Sequence, residues 1–270
     1  MGRVENARAL QKTIEELRRE RARPYLEIEQ DAEKLEVAKK HAEKLIREHS
    51  ILKAGNRKLD KSVLIFNLPD VLTCPGASLG CLRFCYARLA KSNNPKSTAI
   101  ARYARYLIAL RADFSEIMFK ELKNKRKSTI RIHESGDFFS LEYFRKWVEV
   151  ARRLPNKTFY AYTKSWFIAQ YLNELPQNFI IIFSLDATNF NLLKGLLPKI
   201  LEARERGKRV GISYVDTHTK EDAENINEIE KFLETHVCPA TIPESKKPGM
   251  CGRECRYCTK KPEAVIFNVH

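Results

Sequence analysis

A chain of 270 residues is long enough for one large α/β domain with a sizeable core, or for a smaller domain carrying appendages. With 43% hydrophobic and 31% charged residues it is not a disordered chain, and no apolar run approaches the roughly 20 residues that a bilayer span requires. The formal net charge of +15 favours an anionic partner, with nucleic acid or a nucleotide the first candidate, although a lysine-rich surface alone gives the same number.

The N-terminal stretch MGRVENARALQKTIEELRRE lacks the apolar core of a signal peptide, so a cytoplasmic, reducing location without membrane contact is expected. In such a compartment clustered cysteines more often hold metal than form disulfides. Residues 5–49 are rich in Glu, Lys, Arg, Ala and Leu, and Pro24 is expected to divide them into two helices. In the second, Ile28, Leu35, Ala38, Ala42 and Leu45 recur at helical spacing. This extension, residues 1–60, reads either as an arm for self-association or for a protein partner, or as a helix lying against the main domain.

From residue 61 the pattern changes to short apolar runs separated by helical stretches. SVLIF (62–66), TIRIHES (129–135), TFYAYT (158–163), FIIIFSL (179–185) and RVGISYV (209–215) read as strands, and AVIFNV (264–269) as a last one. Helices are expected around residues 100–108, 114–122, 141–154, 192–204 and 220–234. Strands alternating with helices imply parallel βαβ units, hence an α/β fold with a parallel sheet, either a closed or partial (β/α) barrel or an open doubly wound sheet; with five or six units, fewer than the eight of a full barrel, a partial barrel is expected. The core would span 61–235 and a cysteine-rich tail 236–270.

Ligands of parallel α/β folds bind at the C-terminal ends of strands. There the sequence places Cys74 after the first strand, Glu134-Ser-Gly136-Asp137 after the second, Lys164 and Trp166 after the third, Asp186 after the fourth, and Asp216 and His218 after the fifth. His133 reads as a core or rim histidine. Asp137 reads equally as a cap for the helix near Leu141. Arg102, Arg105 and Arg111, interleaved with Tyr103 and Tyr106, suit either a nucleic-acid surface or an ordinary amphipathic helix.

All seven cysteines fall in two groups. Cys74, Cys81 and Cys85, spaced C-x6-C-x3-C, suit an open [4Fe–4S] cluster, because three thiolates leave one iron free. Cys238, Cys251, Cys255 and Cys258, spaced C-x12-C-x3-C-x2-C, suit a closed cluster or a structural zinc site. One cluster or two are thus expected, with zinc the competing metal.

The segments TCPGASLGCLRFCYA (73–87), GDFFS (136–140), YTKSW (162–166) and the ending VIFNVH resemble the phage gene product 88 family, from about residue 62 to 270. That resemblance implies a viral or mobile-element context. A more distant resemblance is to the radical S-adenosylmethionine enzymes, whose partial barrel carries three cysteines in the loop after the first strand. The ending Phe84-Cys85-Tyr86-Ala87 is similar to theirs, while the spacing departs from C-x3-C-x2-C, which occurs instead at Cys251, Cys255 and Cys258. The resemblance implies S-adenosylmethionine as cofactor, received near Gly136 and Asp137 with Glu134 or Asp186 holding its polar groups. It implies either that the loop holds the reactive cluster and the tail an auxiliary one, or the reverse. The expected function is therefore a radical S-adenosylmethionine-like enzyme acting on nucleic acid or a nucleotide. The competing expectation is a non-catalytic nucleic-acid-binding protein with structural metal sites.

Overall fold

The computed structural model describes residues 2–85, 87–88, 92–242, 250–260 and 262–268. Tyr86 and Val269, on which the sequence reading drew, lie outside them. An eight-stranded sheet forms the centre: β1 (Lys53–Ala54), β2 (Val63–Phe66), β3 (Thr129–Ile132), β4 (Thr158–Thr163), β5 (Phe179–Leu185), β6 (Arg209–Asp216), β7 (Thr235–Val237) and β8 (Ala264–Asn268). Their order is β1-β2-β3-β4-β5-β6-β8-β7, and every neighbouring pair except β1 with β2 is parallel. The sheet is open, with β1 and β7 at its edges. All six expected strands are present. The two edge strands have two and three residues, too short to leave a periodic signal in sequence.

The central strands are apolar on both sides because both faces are covered. Even-numbered β2 and β3 residues such as Leu64, Phe66, Ile130 and Ile132 join the main core with the buried rings of Phe114, Tyr143 and Trp147. These rings come from α5 (Phe114–Lys123) and α6 (Leu141–Arg153). On the opposite face, Val63, Ile65, Tyr160, Ile180 and Ile182 form a separate cluster on which Leu59, Tyr162 and Cys258 pack. Beside it lie Cys238, Ala240 and Val265, with Cys251, Tyr257 and Phe267 against them. Helices, among them α7 (Leu193–Glu205) and α8 (Lys220–Glu230), therefore cover one face and the tail, with α9 (Met250–Arg253) and α10 (Tyr257–Lys260), covers the other.

The extension departs from expectation at Pro24. A single helix, α1 (Gly2–Gln30), runs through the proline, and the break comes at Asp31, which caps α2 (Ala32–Arg47) by accepting from Glu33 N and Lys34 N at 3.1 Å each. Proline removes one helical hydrogen bond and crowds the preceding turn, a cost near 3 kcal/mol. Packing outweighs it: Tyr25 and Ile28 are buried with Ala38 of α2 and with Ala99 and Tyr103 of α4 (Pro95–Leu110). Replacing the proline should relieve the residual strain. Pro24→Ala is expected to stabilise α1 by about 1–3 kcal/mol, read as slower amide exchange across residues 18–28; unchanged exchange there would show that the helix bears no such cost.

Candidate functional site

The loop after β2 is fixed from several sides. Asn67 Oδ1 accepts from Glu134 N and Ser135 N at 2.9 and 3.1 Å, and Leu68 N donates to Ser135 O at 2.9 Å, joining this loop to the one after β3. Val71 is held at φ 66°, a strained conformation for a β-branched residue. Cys74 N then donates to Val71 O at 3.1 Å. Further on, Ser78 caps α3 (Leu79–Phe84), accepting from Cys81 N at 3.1 Å and donating to Asp186 Oδ2 at 2.5 Å.

Two glycines permit this close docking. A Cβ on Gly76 would lie 1.6 Å from the Lys164 carbonyl oxygen. Gly136, at φ 83°, faces the loop so closely that a Cβ would come within 2.6 Å of Thr73 Oγ1. From outside, α1 grips the same loop. Arg18 donates to the carbonyls of Cys74, Pro75 and Ala77 at 3.3, 3.1 and 3.0 Å, and Arg21 to that of Cys81 at 3.1 Å. Tyr25 donates to Asp70, which also pairs with Arg102 at 2.6 Å, and Arg102 reaches the Ala87 carbonyl at 2.8 Å.

A cavity of about 130 Å³ lies between this loop and the strand ends. Cys74, Cys81 and Cys85 line it together with Glu134, Gly136, Asp137, Arg131, Tyr162, Lys164 and Ser184. Burial pushes the Cys74 thiol well above its ordinary pKa, with Asp137 and Cys81 adding to the effect. Cys85 is pushed up to about 11 by burial and by Cys81. Cys81 is raised chiefly by burial, against the opposing pull of Lys164. The three thiols thus feel one another's charge and remain protonated unless a cation stabilises them.

The carboxylates expected to bind a cofactor are tightly held. Asp137 accepts from Thr163 Oγ1, Lys164 N and Phe138 N at 2.6, 2.7 and 2.7 Å, yet burial outweighs these bonds and lifts it to about 6. It does not cap α6, a task performed by Ser140, whose Oγ accepts from Tyr143 N at 3.1 Å. Glu134 accepts from the side-chain amides of Asn56 and Asn67. Asp186 lies beneath the loop rather than in the cavity wall, paired with Lys164 Nζ at 2.9 Å. Burial pushes Asp186 up, but Lys164 and the Ser78 and Thr188 hydroxyls outweigh it and hold the carboxyl below its usual range.

The tail cysteines gather over the other face of the sheet. Cys251 is anchored to the turn before β2, with Cys251 N donating to Lys58 O at 3.1 Å and Asp60 N to Cys251 O at 2.9 Å. Its thiol shares a hydrogen bond with that of buried Cys238, which favours the Cys238 thiolate. Burial raises Cys258 to about 11, and its sulfur accepts from Tyr162 Oη at 2.7 Å. Cys251 is raised further by the charges of Cys258 and Cys255. Among the described residues no three Cys, His, Asp or Glu side chains stand at the spacing that holds a single ion.

Other residues singled out by sequence have structural employment. His133, at φ 65°, is buried with Nε2 2.9 Å from the Tyr143 hydroxyl. Trp166 stacks on Phe183. Asp216 and His218 pair with each other outside the cavity. Arg102 is bound to Asp70, Arg105 to the Ile51 carbonyl at 2.7 Å and Arg111 to Asp113 at 2.8 Å, while Tyr103 and Tyr106 pack edge to face. Sequence reasoning missed Arg18 and Arg21, and it placed Tyr162 at a strand end without a role for its hydroxyl. The stripe Arg18, Arg21, Tyr25, at i, i+3 and i+7 on one helix face, is the signal that marks the two arginines.

The model of the Gene product 88 family matches residues 31–261. The chain belongs to that family. The Gene 88 protein of Mycobacterium phage L5 is 30% identical over 207 residues, and that of Mycobacterium phage D29 is 27% identical over 212 residues. Each alignment covers 73% of this chain and 82% of the relative. No solved structure matches the chain. Both relatives are phage proteins, the context expected from the motifs. The Gene product 88 match begins at residue 31 instead of near 62 and so takes in α2, whose buried Ala38, Ala42 and Leu45 are part of the packing.

Two variants test this architecture. Lys164→Met leaves Asp186 buried without its cation and is expected to cost about 3–5 kcal/mol in chemical denaturation, with Lys164→Met/Asp186→Leu recovering much of the loss; a single variant as stable as the parent would refute the pair's role. Gly76→Ala should unseat the loop while leaving the sheet folded. Limited proteolysis is expected to cut within residues 73–88 in that variant and not in the parent.

Proposed function

We propose that this chain is an iron–sulfur enzyme of radical S-adenosylmethionine-like architecture, acting on a nucleic acid or nucleotide in a viral or mobile-element setting and in the cytoplasm. The observation that carries the reading is a three-cysteine loop leaving the first parallel strand and facing a cavity at the C-terminal ends of β3, β4 and β5. The run β2-β3-β4-β5-β6-β8 keeps sequence order across the open sheet, an order that supports a relation to the partial (β/α) barrel of those enzymes.

The donor set fits such a cofactor. Cys74, Cys81 and Cys85 line one cavity, and iron bound there would stabilise thiolates that burial otherwise keeps protonated. Cys74, Cys81 and Cys85 would hold an open [4Fe–4S] cluster, and Cys238, Cys251, Cys255 and Cys258 a closed one. When bound, the open cluster supplies the electron and the free iron that S-adenosylmethionine cleavage requires. The chain's own part is to place the cofactor: Gly136 offers backbone without a side chain at the cavity, and Glu134 and Asp137 present carboxylates whose orientation is fixed by Asn56, Asn67 and Thr163. Asp186 acts from below, holding Lys164 and the cysteine loop together. The net charge of +15 supports a polyanionic substrate.

The competing reading is a non-catalytic nucleic-acid-binding protein with structural zinc, which the closely spaced Cys255 and Cys258 also suit. Anaerobically purified protein is expected to be brown, with iron and sulfide in excess of zinc, and after reduction to release 5′-deoxyadenosine from S-adenosylmethionine. Colourless protein with stoichiometric zinc would favour the competing reading. Iron-loaded protein that yields no 5′-deoxyadenosine would end the radical reading alone.

A further inference from the structure

One side chain lines the cavity of the loop cysteines and is bonded to a tail cysteine. Residues of β4 alternate between faces, so Tyr160 and Tyr162 point away from the helices and toward the face that the tail covers. The Tyr162 ring helps to line the cavity of Cys74, Cys81 and Cys85. Its hydroxyl donates to Cys258 Sγ at 2.7 Å, and among the described residues this is its hydrogen-bond partner. The ring is tightly set: the Arg131 guanidinium carbon lies 4.0 Å from its centroid and the Phe267 ring 5.5 Å away. Arg131 is itself fixed by donating Nε to the His133 carbonyl at 3.1 Å.

A phenylalanine would fill the same volume beside Arg131 and Phe267, so packing does not call for the hydroxyl. A thiol is a weak acceptor, whereas a metal-bound thiolate is a strong one that gains from a neutral donor in a dry site. The same face carries a second mark of a bound group. Ser213 pairs in register with Ser184, which lines the cavity, and with Val265, which packs on Cys238. Its Oγ is fully buried and has no hydrogen-bond partner among the described residues.

We infer that Tyr162 is the outer-sphere partner of the tail metal centre, a positioning residue that orients Cys258 and makes that centre a wall of the chamber served by the loop cysteines. This rests on the reading of the tail cysteines as metal ligands, and it holds whether the metal is iron or zinc. Outer-sphere partners of this kind typically contribute 10- to 100-fold to metal affinity.

The test uses the full chain with Cys74, Cys81 and Cys85 replaced by serine, so that only tail thiols report. Anaerobic titration with Co2+ follows the thiolate-to-cobalt charge-transfer band. Tyr162→Phe is expected to weaken Co2+ binding at least tenfold and to shift the band. Tyr214→Phe, which removes a hydroxyl bonded to Asp222 on the helix-covered face, should change neither. Matching circular dichroism and thermal midpoints of the metal-free forms separate this effect from misfolding. Equal affinity and an unshifted band in Tyr162→Phe would overturn the inference. A parent chain whose tail takes up neither Co2+ nor, on anaerobic reconstitution, iron with sulfide would overturn the metal reading beneath it, and the inference with it.

Discussion

The cysteine loop lies flush against the ends of β4 and β5, and the rest of the site depends on that contact. Gly76 sits so close to the Lys164 carbonyl that no side chain fits between them. The same lysine reaches Asp186 and the Ser184 carbonyl with its ammonium group, and Asp186 receives the Ser78 hydroxyl that caps α3. One buried ion pair thereby sets the height of the loop, the start of α3 and the direction in which Cys81 faces. Buried pairs of this kind seldom raise net stability, since desolvation offsets most of the attraction. Their effect here is one of geometry: a carboxylate and an ammonium without water to replace either partner hold three chain segments in a single arrangement.

The second constraint comes from outside the sheet. Arg18 and Arg21 place two guanidinium groups on four carbonyls of the loop, and a hydrogen bond from a charged donor contributes about 1.5–3 kcal/mol. The loop carbonyls at Cys74, Pro75 and Ala77 find little secondary structure to satisfy them, so the arm does what a helix or strand would do elsewhere. Residues 18 and 21 precede the segment matched by the Gene product 88 family, which begins at residue 31. Helix α1 thus belongs physically to the site although the family match does not extend to it.

How far the sequence reveals this can be judged from particular residues. β2 and β5 are legible because strands covered on both faces must be apolar throughout, as VLIF and FIIIFSL are. The convergence of Glu134, Gly136 and Asp137 with the loop cysteines follows from the rule that parallel strands present their C-terminal ends to ligands. Pro24 misleads because helix propensity is local, whereas the burial of Tyr25 and Ile28 that overrides it is tertiary. Asp186 is visible as a strand-end carboxylate, but its pairing with Lys164 requires knowing that neighbouring strands lie side by side. The Tyr162–Cys258 contact spans 96 residues, and no periodicity carries information across that distance.

The tail presents the sharpest physical question. Its helices α9 and α10 have four residues each, far below the length at which a helix holds itself in water. It nevertheless covers the apolar face made by Val63, Ile65, Ile180 and Ile182. Among the described residues its attachments include Cys251 to the turn at Lys58 and Asp60, Cys238 to Ile266, Cys258 to Tyr162, and Arg209 to the carbonyls of Thr259 and Lys260. Three of these attachments run through a cysteine. A metal joining those same residues would therefore crosslink the anchors themselves, converting three weak points of contact into one rigid unit, as in small metal-folded modules. On the proposed reading the closed centre and the covered face of the sheet are one structural element, which explains why four thiols are gathered where so little secondary structure is available to hold the chain down.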